Sequence, residues 1–94
     1  MNLSWTDPAL VDLAGIDHWL SEHADPQVAI HQIEQIRTRA RGLRDFPKIG
    51  QQVGAASRSV AVQKTPYIVV YRIHDDLIEI LRVHHNRQDW RPSE

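Results

Sequence analysis

The chain contains no cysteine, which excludes disulfides, thiolate metal ligation and cysteine nucleophiles together. No apolar run approaches the eighteen or so residues of a membrane-spanning helix. Its start, MNLSWTDP, has neither the positive charge nor the apolar core of a secretory leader. These absences predict a cytoplasmic protein without membrane contact. Glycine is scarce, and the four present form no phosphate-binding loop, dinucleotide fingerprint or G-x-S-x-G elbow. No HxxxH or HExxH spacing occurs. His18 and His23 align poorly on a helix, and the adjacent His84 and His85 would point to opposite faces of a strand, so no metal or other cofactor is expected. A further gap is positional: residues 1–35 hold six acids and no Lys or Arg.

Residues 36–94 therefore hold all eleven basic side chains against six acids, and the two parts carry −6 and +5. A basic C-terminal part can dock on an acidic partner, or helices and strands can simply expose different charges. The near-neutral total makes a poor bulk binder of nucleic acid, whose affinity is driven by phosphate neutralisation. With 41% hydrophobic and 24% charged residues, residues 1–94 are sufficient for one domain with one layer of helices on one sheet.

The stretch YIVVYRIHDDLIEILRVHH, residues 67–85, is rich in β-branched and aromatic residues and free of Gly and Pro, which predicts an antiparallel hairpin turning at Asp75-Asp76. A two-residue turn places Arg72 opposite Glu79, Tyr71 opposite Ile80 and Val69 opposite Arg82. One face then carries Tyr67, Val69, Tyr71, Ile73, Ile78, Ile80, Arg82 and His84; the other carries Ile68, Val70, Leu81 and Val83 beside the Arg72–Glu79 pair. Two apolar faces place the ribbon in mid-sheet, with helices on one side and a second surface left over.

Residues 2–5 alternate as an edge strand would. Asp7-Pro8 predicts a helix start capped by Asp7, with Ala9, Leu13, Ile16 and Leu20 on its buried stripe and an end near His23. Asp25-Pro26 repeats the signal for a second helix with Ala29, Ile33, Ile36, Ala40 and Leu43 inward. So short a link makes the two an antiparallel αα-hairpin. Beside that stripe, Arg37, Arg41 and Arg44 form either a solvated face complementing the helix dipole or a docking ridge. Phe46, the sole Phe, is expected to plug the end of the core. Residues 50–54 read as loop, residues 58–63 as a strand, and the polar stretch from His85 to Pro92 as an exposed tail pinned by Trp90. The fold class is α+β, an edge strand and a helix hairpin on a mainly antiparallel sheet with three C-terminal strands.

Arg58, Arg82 and His85, with Tyr67 and Tyr71 between them, are the one constellation with catalytic chemistry. A ribonuclease using the 2′-OH needs a base, an acid and cations for the phosphorane. His with two Arg supplies the last two, but no base is in sight because Glu79 is tied to Arg72. The alternative is a sheet-surface cation and a strand-end histidine.

These pieces, in this order, resemble the RelE/ParE superfamily of bacterial toxins, and within it the ParE branch. The resemblance rests on Asp12-Leu13 with Ile16 and Trp19, Leu43-x-x-Phe46-Pro47-x-x-Gly50, Arg58, Pro66-Tyr67, Tyr71-Arg72, and Ile80-Leu81-Arg82-Val83 with His85. It implies a non-enzymatic toxin bound in a hetero-oligomer by a cognate antitoxin, which meets operator DNA on behalf of both. It also implies DNA gyrase as the target. The RelE-type alternative is a ribosome-dependent mRNA endoribonuclease using Arg58, Arg82 and His85; a third is a degenerate toxin that only binds antitoxin. RelE-type relatives carry more Lys and Arg, and the loop between Gly50 and Arg58 has no Lys, which favours the ParE branch. The expected antitoxin contacts are Ile68, Val70, Tyr71, Ile80, Arg37 and Arg41, through β-augmentation or a groove. The expected target contacts are Arg58, Arg82, His84, His85, Arg87 and Trp90.

Overall fold

A computed structural model describes residues 1–88 and residue 90. Residues 89 and 91–94, which include part of the expected tail, lie outside that description. The elements run β1 (Asn2–Trp5), α1 (Asp7–His23), α2 (Pro26–Gly42), β2 (Gln51–Val53), β3 (Ser57–Ala61), β4 (Tyr67–His74) and β5 (Leu77–His85). The sheet order is β1-β5-β4-β3-β2. β1 lies parallel to β5 and every other pairing is antiparallel. The α+β class holds, with one strand more than expected: β2, too short and too polar (Gln51, Gln52) to show as a pattern.

Both helices cover one face of the sheet. Ala9, Leu13 and Leu20 from α1, Ile36, Ala40 and Leu43 from α2 or its end, and Val60, Val69, Tyr71, Ile78, Ile80 and Val83 from the strands make one core. Tyr71, Ile36, Leu43, Ile78, Ile80 and Val69 are its largest fully buried side chains, and such burial is worth about 1.5–3 kcal/mol for each apolar side chain. α1 is capped by Thr6, one residue earlier than expected, whose Oγ1 accepts from the Ala9 N–H at 3.3 Å. Asp7 instead sits in the first turn, where its charge suits the helix dipole. α2 is capped as expected by Asp25, which accepts from the Gln27 N–H at 2.8 Å.

The hairpin turns at Asp75, in the left-handed region at φ 52°, a conformation Asp tolerates. Its register follows expectation from His74↔Leu77 to Tyr71↔Ile80 and then slips: Val70 pairs with Arg82 and Val69 with Val83. Leu81 is the extra residue of a β-bulge. Thr6 holds it, its Oγ1 donating to the Ile80 carbonyl at 2.9 Å and the Leu81 carbonyl at 3.1 Å. The slip moves Val83 and His85 to the helix side and sends Arg82 and His84 to the other, reversing the expected faces beyond Ile80. Phe46 is also corrected: it is 66% exposed, because the chain leaves α2 through a tight turn in which Leu43, not Phe46, closes the core.

Candidate functional site

Two hydrogen-bonded clusters gather most of the residues singled out above. The first holds the loop after α2. The Tyr71 hydroxyl, at the sheet centre, accepts from the Gly50 N–H at 2.9 Å and donates to the Pro47 carbonyl at 2.7 Å. Burial pushes its pKa up, against the smaller effects of the Gly50 N–H and nearby Arg58 and Arg39, so the phenol keeps the proton it donates. Arg58 Nη1 donates to the Gly50 carbonyl at 2.8 Å and the Lys48 carbonyl at 3.3 Å. Gly50 is required here: a Cβ would lie 2.5 Å from the Tyr71 hydroxyl and 2.8 Å from the Ser59 carbonyl.

The second cluster closes the edge of β5 beyond the end of β1. Asp12 on α1 takes both Arg82 Nε at 2.7 Å and Arg82 Nη2 at 3.0 Å, a bidentate pair, and accepts the Val83 N–H at 3.0 Å. Burial raises the Asp12 pKa, but Arg82 and the Val83 N–H outweigh it and hold the carboxyl below its ordinary range. His84 is shifted down, first by burial and then by Arg82; its ring stacks on Trp90 at 6.0 Å. His85 packs edge-on to Tyr67 at 5.8 Å, and its Nδ1 accepts the Arg87 N–H at 3.1 Å.

Arg58, Arg82 and His85 are not brought together. Arg58 stands opposite Tyr71 and His85 opposite Tyr67, four residues apart along β4, or about 13 Å. Arg82 leaves β5 on the other face of the sheet, opposite Val70, and its guanidinium is tied at the strand edge to Asp12. The expected docking residues divide as well. Tyr71 and Ile80 are 0% exposed, core beneath the helices and closed to any partner. Ile68 and Val70 lie on the uncovered face, where Val70 and Val53 are already buried and Ile68 is half-buried. Arg37 and Arg41 are exposed on α2, Arg41 donating to the Thr38 hydroxyl at 3.1 Å. Arg82, His84 and Trp90 cluster on or near the uncovered face, and Arg87 is exposed just beyond β5. Among the described residues, no group of three His, Cys, Asp or Glu could hold a metal ion, and no helix is long and apolar enough to cross a membrane.

The exposed apolar area is elsewhere than the hairpin pattern suggested. Leu10, Val11 and Trp19 on α1, and Phe46 and Ile49 after α2, are exposed. Each set borders a groove. One of about 470 Å³ runs between Val11, Gly15 and Trp19 of α1 and Tyr67, Val83 and His85 of the sheet. Another, of about 480 Å³, lies between α2 and the end of β3, with Arg39, Leu43, Phe46 and Val62 in its lining. The signal for the α1 surface was present in the sequence: Leu10, Val11, Ala14 and Trp19 fall off the inward stripe, so the helix is apolar on more sides than its own core needs.

Two helices on this sheet define a fold class found in toxin–antitoxin assemblies. A chain of the chromosomal ParDE TA system from P. aeruginosa superposes with a TM-score of 0.80 at 23% identity, covering 90% of this chain and 95% of that one. The intact E. coli RelBE toxin–antitoxin complex contains a similar fold, with a TM-score of 0.64 at 15% identity over 93% and 98% of the two chains. In sequence, Toxin RelE2 of Caulobacter vibrioides is 31% identical over 81 residues, 86% of this chain and 90% of that protein. The family described as ParE toxin of type II toxin-antitoxin system, parDE, matches residues 3–90. The chain belongs to this family, within the RelE/ParE superfamily.

Proposed function

We propose that this chain is the toxin of a type II toxin–antitoxin pair in the cytoplasm, held silent in a hetero-oligomer by its cognate antitoxin. When free, it inhibits DNA gyrase by binding rather than cutting RNA. Membership of the ParE family supports the target. The observation that carries the non-enzymatic part is the dispersal of Arg58, Arg82 and His85. Arg58 is committed to two loop carbonyls and Arg82 to Asp12, while His85 faces the helix side of the sheet. General acid–base cleavage needs its groups around one phosphate, within hydrogen-bond reach of it.

The target contacts in this reading are Arg82, His84 and Trp90 at the uncovered face, with Arg87 beside them. The test is expression of the toxin without antitoxin, with mRNA 5′ ends mapped and the purified protein assayed for inhibition of gyrase supercoiling. Growth arrest, inhibited supercoiling and an uncut transcriptome are expected. Cuts at fixed codon positions that vanish in His85→Ala would replace this reading with the endoribonuclease one. Normal supercoiling at excess toxin removes gyrase as the target, and no arrest at all indicates a degenerate toxin.

A further inference from the structure

Phe46 and Ile49 are 66% and 54% exposed, yet the backbone that carries them is held at nearly every carbonyl. That of Phe46 accepts the Ile49 N–H at 3.2 Å. That of Pro47 accepts the Tyr71 hydroxyl, and those of Lys48 and Gly50 accept Arg58. None of these ties uses the Phe46 or Ile49 side chain, so the loop takes its shape without them. Anchors on a backbone ordered beforehand lose little freedom on binding, and aromatic side chains are enriched in the cores of protein interfaces. The surround is basic. Arg39, Lys48 and Arg58 line the depressions beside the two side chains, and Arg41 and Arg44 adjoin them at the end of α2. Against these five stand Glu34, 4.0 Å from Arg41, and Asp45, which leaves +3. Arg39 and Arg58 donate to neutral carbonyls and keep their charge. Arg44 and Lys48 are exposed and have no ion pair among the described residues.

We infer that Phe46 and Ile49 are an anchor for the toxin's target protein and enter together an apolar pocket with an acidic rim. The inference rests on the toxin reading above and adds the loop between α2 and β2 to the target contacts named there. The partner is a folded protein because this chain supplies the projecting side chains, so the concavity must come from the other side. A single helix or extended segment, the form of antitoxin contact expected from the sequence, has no pocket to receive a phenyl ring. Two copies of this chain meeting loop to loop would set Arg44 and Lys48 against their own kind. Nucleic acid would suit the cations and stack on Phe46, but it offers no apolar seat to Ile49.

The experiment compares wild type, Phe46→Ala, Arg44→Glu and the double variant Phe46→Ala/Ile49→Ala. Each is assayed for thermal melting, growth arrest on induction, inhibition of gyrase supercoiling and calorimetric titration with the antitoxin encoded beside this chain's gene. All four melt alike, because the loop's ties are backbone and core. The toxin concentration for half inhibition rises about tenfold in each single variant and about a hundredfold in the double one. Antitoxin affinity is unchanged. Added salt weakens inhibition by wild type more than by Arg44→Glu. Growth arrest declines in the same order and reads the loop whatever the target is, so wild-type toxin that arrests growth without inhibiting gyrase removes gyrase alone. Full arrest by the double variant overturns the inference and leaves the toxin reading standing. Lost antitoxin affinity with arrest unchanged gives the loop to the antitoxin and overturns it too. If the double variant melts lower, Arg44→Glu, outside the core, decides by the same readouts. A wild-type chain that arrests nothing removes both readings.

Discussion

Tyr71 is the residue on which the centre of the molecule turns, because its buried hydroxyl satisfies a donor and an acceptor of a loop that has no regular structure of its own. Tyr71→Phe keeps the ring and strands both loop groups, and such losses cost about 1–3 kcal/mol for each buried group left unsatisfied. Urea unfolding should show a lower midpoint with an unchanged slope. Asp12 and His84 make stability fall with acidity in two separate windows. His84 has a depressed pKa in the folded state, so the unfolded chain takes up the proton first, and stability declines as pH drops below the ordinary histidine range. Asp12 is depressed too, so its contribution is full above the ordinary carboxylate range and is lost as pH falls through the lower folded value. Denaturation midpoints measured against pH should lose the upper step in His84→Gln and the lower one in Asp12→Asn. Both effects are modest, because Arg82 is half exposed.

Among the elements, β5 is the most instructive, since its pattern allowed the pairing to be read correctly only as far as Ile80. The remainder depended on Thr6 and Asp12, residues 74 and 71 positions away from their partners, and no local pattern announces a bulge held from so far off. The helices, by contrast, were legible: Asp25-Pro26 and the apolar stripes are local signals, and even the displaced cap at Thr6 is an error of one residue. Residue chemistry was legible where geometry was not. Asp12, Gly50, Arg58, Tyr71 and Arg82 form a pattern in the sequence, but nothing local marks them as two structural ties, so Arg58 and Arg82 read from sequence alone as catalytic cations. Thr6→Ala should test the dual role of that residue. Losing a helix cap costs about 1 kcal/mol, and the Leu81 carbonyl at the bulge loses its donor as well, while the Ile80 carbonyl keeps the Thr6 N–H, so the melting temperature should fall further than for Asp25→Ala, which removes a cap alone.

For the molecule as a whole, the long strands are closed at their edges by side chains. Thr6 and Asp12 occupy the bare side of β5, and Arg39 Nε donates to the Ala61 carbonyl at 3.1 Å where β3 extends past β2. Gln35 does the same for the Gln63 carbonyl at 3.3 Å. An added strand is thereby blocked at these two places, a common device against edge pairing. Arg39→Ala should bare the β3 edge, and light scattering of the purified variant should report more self-association than wild type.

The parallel pairing of β1 with β5 joins residues 2–5 to residues 77–80. Asn2 to Trp5 wait for Leu77 to Ile80, and the elements between them lack this seam until β5 has been made. Such distant pairings also form late in folding. A product that stops short of β5 therefore lacks the one strand through which β1 joins the sheet.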